Sequence, residues 1–357
     1  MKLREATFDD YAAITSLGAQ YGLKARTPEE WRHVWLNNPE YRRHEHWPIG
    51  WVLENDHREL VGSIGNVPLA CEFRGQTLTT AAGRSWVVDT RYRSFAIMLL
   101  DEFFHQDQVD LFLNTTVNQH AVEAYKCFES PPVPRGDWNR SAYWITHYPG
   151  FAESALHARQ SRFAPLLKYP LAASLRLKDA AASISARSNR NIDVRVEQSF
   201  DERFDVFWDA LRARNQELLL SCRSREVLEW HFRFHLEREQ AYILTVSEGN
   251  KLIAYSIFYR KDKDEYGLKR VRLVDYQSLE DGGESRAAMT EQMLRICRKQ
   301  KIHMLEDVGC SLNGTAPHKR ELPSWLYYYK ANRPQLVKEL SDSACWRPFL
   351  FDGDSSL

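Results

Sequence analysis

The stretch Val117-Asn118-Gln119-His120-Ala121-Val122-Glu123-Ala124-Tyr125 follows a short apolar strand, Val109 to Leu113. Asn118, Ala121 and Tyr125 fall at i, i+3 and i+7, so they share one face of a helix that Asn118 can cap. That face presents an amide and a phenol side by side, and it reads either as a functional pair or as a cap above a buried stripe. A second segment, Ser85 to Phe104, joins an apolar run (Trp86-Val87-Val88) through a polar turn to an amphipathic helix. A helix beginning near Ala96 aims unpaired N–H groups and a positive dipole end at the turn, and such an end binds phosphate. Arg91 and Arg93 in this turn are either part of that site or ordinary surface charges.

These two segments together resemble the GNAT acyltransferases. Their pyrophosphate loop reads Arg/Gln-x-x-Gly-x-Gly/Ala, and Arg91-Tyr92-Arg93-Ser94-Phe95-Ala96 fits it at Arg91 and Ala96, with Ser94 in place of the first Gly. The resemblance implies that Val87, Val88, Arg91, Arg93, Ser94, Phe95, Ala96, Asn118 and Ala121 bind an acyl-coenzyme A co-substrate such as acetyl-CoA. It implies that Asn118 contacts the pantetheine and that Tyr125 protonates the leaving thiolate. Transfer is then direct, with a backbone N–H of the Val87–Val88 strand polarising the thioester carbonyl. Where many GNAT enzymes place a basic Glu, this chain has Thr79-Thr80-Ala81-Ala82. Glu54, His120 or a water chain are the candidates left for the base.

The elements around these residues follow from local patterns. Trp51-Val52-Leu53-Glu54, a turn at Asn55-Asp56-His57 and Leu60 to Gly65 read as two antiparallel strands. Arg74-Gly75-Gln76 turns the chain into Thr77 to Thr80. Upstream, Asp9 to Leu17 reads as a helix, and so does Pro28 to Leu36, capped by Thr27 with Glu30 three residues on. Ser141 to Thr146 is expected to supply a late strand to this first unit.

At 357 residues the chain has room for two domains. Helical segments at Phe204–Leu219 and Ser224–Leu236, strands at Tyr242–Leu244, Leu252–Ile257 and Arg270–Tyr276, a helix to Lys299 and a strand at His303–Val308 repeat the order of the first half. In the second copy the loop carries Glu280, Asp281 and Glu284, which repel a pyrophosphate. The fold class expected is α+β, a mixed sheet in each of two GNAT-like domains in tandem. The division is 1–150 for the acyl-CoA domain, 151–192 for a helical linker and 193–357 for a degenerate second domain. Leu166, Leu167, Leu171, Leu175 and Leu177 read as an apolar side of that linker, packed across the domain junction in preference to lying on a membrane.

Lys plus Arg equals Asp plus Glu at 48 each, so no global field attracts nucleic acid, and none is expected as a partner. Cys71, Cys127, Cys222, Cys297, Cys310 and Cys345 lack Cys-x-x-Cys spacing and read as reduced core thiols. His44 with His46, and His231 with His235, lack a completing ligand, so no metal is expected. Trp31, Trp35, Trp47 and Trp51 either line a sugar-stacking cleft or pack the core. No run is long enough to span a bilayer and no secretory segment is read at Met1 to Glu5, so the expected location is cytoplasmic.

Leu326 to Ala331, Trp346-Arg347-Pro348-Phe349 and Asp352-Gly353-Asp354, with Asn37-Asn38-Pro39 and Ser224-Arg225-x-x-Leu228-x-Trp230, resemble tandem GNAT-like proteins encoded with bacterial exopolysaccharide and capsule enzymes. That resemblance implies acylation, with acetyl as the expected group, of an amino sugar or related saccharide. A catalytically inactive scaffold and a Fem-type aminoacyl transferase are the other classes the same architecture allows.

Overall fold

The computed structural model describes residues 1–135, 138–182, 192–309, 316–322 and 326–357. The first half runs β1 (Lys2–Glu5), α1 (Tyr11–Gln20), α2 (Pro28–Leu36), β2 (Gly50–Glu54), β3 (Leu60–Phe73), β4 (Gln76–Val88), α3 (Ala96–Phe104), β5 (Leu111–Val117), α4 (Val122–Cys127) and β6 (Arg140–Ile145). Then come α5 (Tyr148–Ala158) and α6 (Ala164–Ala182). The second half runs β7 (Arg195–Glu197), α7 (Glu202–Arg214), β8 (Leu220–Ser221), α8 (Arg225–Glu237), β9 (Ala241–Glu248), β10 (Lys251–Arg260), β11 (Arg270–Ser278), α9 (Glu284–Lys299), β12 (Met304–Val308), β13 (His318–Glu321), β14 (Leu326–Ala331) and α10 (Pro334–Leu340).

Local chemistry explains the boundaries. Thr27 and Glu30 form the capping box read from sequence, the Thr27 hydroxyl accepting from the Glu30 N–H at 3.2 Å and the Glu30 carboxylate from the Thr27 N–H at 2.9 Å. In both halves a three-stranded antiparallel meander leads through a helix to a strand parallel to the meander's last member: β4 with β5, and β11 with β12. That is the repeated order expected from the sequence.

The strands are not shared out as the sequence order suggests. One sheet runs β1-β2-β3-β4-β5-β14, with β8 beside β3, and the other runs β13-β6-β12-β11-β10-β9-β7. The late strand expected to complete the first unit, β6, instead pairs antiparallel with β12, from Met304↔Ile145 to Val308↔Ser141. In return β14 lies against β5, Tyr328 opposite Asn114. Each half thus closes the other's sheet, and α7, α8, β3 and the last residues of the chain pack into one core.

The Leu-rich linker does not pack as expected. Leu166 and Leu177 are 75% and 72% exposed, and Leu167 is exposed too. The helix is held through small and polar groups, Ala164 and Ala172 being buried, while Tyr148 donates to Asp179 at 2.9 Å and His318 lies 2.8 Å from the same carboxylate. The Trp cluster resolves in favour of the core: Trp35, Trp47 and Trp51 are buried, and Trp31 stacks edge-on against Trp35. Cys71, Cys297 and Cys345 are buried thiols, Cys127 is exposed, and Cys310 lies outside the described residues. Among the described residues no helix is long and apolar enough to cross a membrane.

Candidate active site

β4 and β5 pair only at Thr80↔Leu111, Ala81↔Phe112 and Ala82↔Leu113. Beyond that they part, and the reason lies in Gly83 and Asn114. A Cβ on Gly83 would sit 2.2 Å from Asn114 Oδ1, so only glycine leaves room for the amide to wedge between the strands. Two residues on, β4 bulges: Ser63 pairs with Val87 but Gly65 with Arg84, leaving Ser85 and Trp86 opposite Ile64 alone. Ser85 takes φ 51°, a left-handed conformation that costs a non-glycine residue on the order of 1 kcal/mol or more.

The parting strands enclose a cleft of about 300 Å³ whose lining includes Gly83, Arg84, Ser85, Trp86, Asn114 and Thr115. Asn118, Ala121 and Tyr125 line it as well. The structure therefore brings the sequence-predicted face to one place. Asn118 is exposed and caps its turn, Oδ1 accepting from the Ala121 N–H at 3.1 Å. Tyr125 is buried, and its hydroxyl donates to Asn114 Oδ1 at 3.1 Å. Burial raises the Tyr125 pKa well above the usual phenol range, with a contribution from Asp354, so the phenol stays protonated and available as a donor. Asn114 Nδ2 and Trp86 Nε1, both buried beside the cleft, have no acceptor among the described residues.

Val87 and Val88 lie past the cleft's lining, half-buried, Val88 packing on the aromatic core of α3. They lead from the cleft to the loop at Arg91–Ala96. Here the residues from Thr90 to Phe95 form a 3-10 turn that feeds α3 at Ala96. Ser94 has no positive φ, so the backbone conformation of this loop does not itself require the glycine of the family pattern. Ser94 and Phe95 are exposed, Ala96 half-exposed. Arg91 is paired with Asp89, Nη2 to Oδ2 at 2.8 Å, and that contact holds the Asp89 carboxyl down at about 2. Arg93 is exposed, with no ion pair among the described residues. The Thr90 N–H donates to Tyr21 at 2.9 Å, tying the loop to the end of α1.

The cleft also holds residues the sequence reading missed. Asn114 and Thr115 continue β5 past Leu113, and Asp354 and Ser355 arrive from the last residues of the chain. The Thr115 hydroxyl donates to Asp354 Oδ1 at 2.7 Å. Arg84 donates to the main-chain oxygens of Asp354 (3.4 Å) and Leu357 (3.2 Å), and Arg26 to Leu357. The glycine and arginine of Ala81-Ala82-Gly83-Arg84 were the available signal, a break in an apolar strand. Neither base candidate read from sequence lies in the lining: Glu54 binds Arg4 at 2.7 Å on β2, and His120 is exposed.

The equivalent place in the second half is filled. β11 bulges near Val274, whose carbonyl accepts from the Phe351 N–H at 3.1 Å. Glu306 of β12 is fully buried between Arg272 (2.6 Å), Arg270 (3.0 Å) and Arg320. The acidic loop is tied by Arg214 to Asp281 at 2.7 Å. Among the described residues no group of three His, Cys, Asp or Glu side chains is placed to hold a metal ion; His231 binds Ser356 instead, at 2.8 Å.

A pair of meander–helix–strand sheets, each with a bulged strand that parts from its parallel neighbour, decides the architecture. The fold is that of the GCN5-related N-acetyltransferases. A GCN5-related N-acetyltransferase from Anabaena variabilis superposes with a TM-score of 0.56 at 12% identity, over 92% of this chain and 72% of that one. Two structures of Saccharomyces cerevisiae N-myristoyltransferase with bound myristoyl-CoA superpose with TM-scores of 0.54 and 0.53, also at 12% identity. They cover 93% and 92% of this chain and 79% and 82% of theirs. No family model matches the sequence, and no curated protein matches it either. At this identity the likeness establishes the GNAT fold and not the reaction.

Proposed function

We propose that the chain is an acyl-CoA-dependent acyltransferase that moves a short acyl group, acetyl by preference, directly to the amine or hydroxyl of an amino sugar or related saccharide. The observation that carries this reading is the open bulge of β4 at Ser85–Trp86 facing Tyr125 across the β4–β5 cleft, with the β11 counterpart filled. In this reading the coenzyme's pyrophosphate lies on the N–H groups of Arg93 to Ala96, with Arg93 supplying charge and Arg91 partly neutralised by Asp89. The pantetheine follows Val87 and Val88 and meets Asn118 and Ala121. The unpaired donors beside the cleft, Asn114 Nδ2 and Trp86 Nε1, and the bulge main chain are available to the thioester carbonyl as its oxygen gains charge. Tyr125 gives the departing thiolate its proton.

A short acyl group suits the packing. Phe103, Phe104 and Phe112 are at most 1% exposed and share a packed core cluster with Ala121 and Tyr125 of the cleft's lining, so a long chain would find that core already occupied. The filled second cleft supports 193–357 as a domain without its own coenzyme, and the even charge supports a small acceptor over a nucleic acid. The setting among polysaccharide enzymes and the cytoplasmic location belong to the same proposal.

Acetyl-CoA with glucosamine and a panel of amino sugars should release free thiol faster than acetyl-CoA alone, and mass spectrometry should find the acceptor heavier by one acetyl group. Thiol release indifferent to every amino sugar, with acylation of a simple peptide amine instead, would move the acceptor class to peptides.

A further inference from the structure

We infer that Asp354 is the general base of the transfer, placed in the cleft by the last residues of the chain to take the proton from the acceptor's nucleophilic atom. This deepens the acyltransferase reading and rests on it. Among the described residues lining the cleft, Asp354 is the one carboxylate, and the lining holds no His or Lys. It stands on β5's side of the gap, bound by the Thr115 hydroxyl at 2.7 Å, and its charge reaches Tyr125. Acid and base therefore address the same small space.

Its approach is built. Gly353, at φ 131°, lies so close to β5 that a Cβ there would meet Thr115 Cγ2 at 2.4 Å. Before it, Asp352 is anchored by Arg223 at 2.7 Å and accepts from the Phe349 N–H at 2.7 Å, and Phe351 is hydrogen-bonded to β11. A segment fixed in the second sheet thus delivers one carboxylate to the first. Burial lifts the Asp354 pKa above the ordinary aspartate value, against the pull of Arg84 and Thr115, which makes it a better proton acceptor than a free carboxylate.

The step balances as follows. The acceptor's lone pair forms a bond to the thioester carbonyl carbon, the C–S bond breaks with its electrons on sulfur, the acceptor proton goes to Asp354, and the thiolate is protonated by Tyr125. The acid and base regain their starting protonation through solvent.

The test uses the full chain and acetyl-CoA hydrolysis, in which water stands in for the acceptor, together with calorimetry of acetyl-CoA. Asp354→Asn should lower the hydrolysis rate by ~10²-fold, the lower end of what a positioned base contributes, with the affinity for acetyl-CoA kept within about twofold. The wild-type rate should rise with pH through a single ionisation in mild acid, and the variant should lack that limb. Gly353→Ala, which keeps the carboxylate but displaces it, should lower the rate while retaining the limb. Unchanged rate and pH profile in Asp354→Asn, with acetyl-CoA bound, overturn this inference alone. Wild-type protein that binds no acetyl-CoA overturns the acyltransferase reading as well.

Discussion

In the proposed reaction Tyr125 is the acid, and its surroundings qualify what a substitution measures. Tyr125→Phe removes the donor to the leaving sulfur and should lower turnover by ~10²-fold, with coenzyme affinity nearly unchanged. It also strips Asn114 Oδ1 of its partner, which costs about 1–3 kcal/mol when the group is buried. Turnover must therefore be compared at a temperature where both proteins are fully folded; an unchanged rate there would return Tyr125 to a packing role. Helical spacing made Asn118, Ala121 and Tyr125 legible, because neighbours at i+3 and i+7 share a face whatever the rest of the chain does. Asp354 was illegible, since its partner Thr115 lies 239 positions away and nothing local marks the pair.

At the scale of elements, the parting of β4 from β5 and the exchange of β6 and β14 have different origins. The first is set by Gly83 and Asn114 and is local. The second depends on which sheet has a free edge once everything else has folded, and alternation of apolar residues announces a strand without naming its partner. That is why the segment read as a strand from Ser141 to Thr146, observed as β6, was assigned to the wrong sheet. The same exchange implies that a fragment of residues 1–150 will be poorly stable. It would lack β14 and expose the edge of β5, whose residues from Leu111 to Thr115 are at most 3% exposed in the whole chain. Its β6 would have no sheet to join. Such a fragment should aggregate or melt well below the full chain in thermal denaturation followed by circular dichroism; a fragment with the same melting temperature would contradict the role given to β14.

The whole molecule behaves as a pair of sheets sharing strands, a core and the final residues, so it should unfold in one transition. Acid should weaken that unit. The arginines around buried Glu306 hold its pKa near about 2 against an ordinary 4.5, so its contribution is present above pH 4.5 and is lost as pH falls toward 2, roughly 3 kcal/mol in all. His303, lowered to about 4 by burial and by His147, acts in the same direction: it is neutral in both states above pH 6.5, and as pH falls from 6.5 toward 4 the unfolded state takes up the proton first and stability is lost. Chemical denaturation should show stability falling steadily from pH 6.5 to pH 3, and Glu306→Gln should flatten the lower part of that curve. A variant that keeps the full slope would place the acid sensitivity elsewhere.

Under the proposed function, one half of this two-sheet molecule keeps an acyl-CoA site and the other has filled its own. Calorimetric titration of the intact chain with acetyl-CoA measures this directly. One site per chain is expected, weakened about tenfold by Arg93→Glu through loss of one phosphate-facing charge and gain of a repulsive one, and untouched by Arg214→Glu at the second loop. Two equivalent sites, or a single site sensitive to Arg214 and indifferent to Arg93, would contradict it.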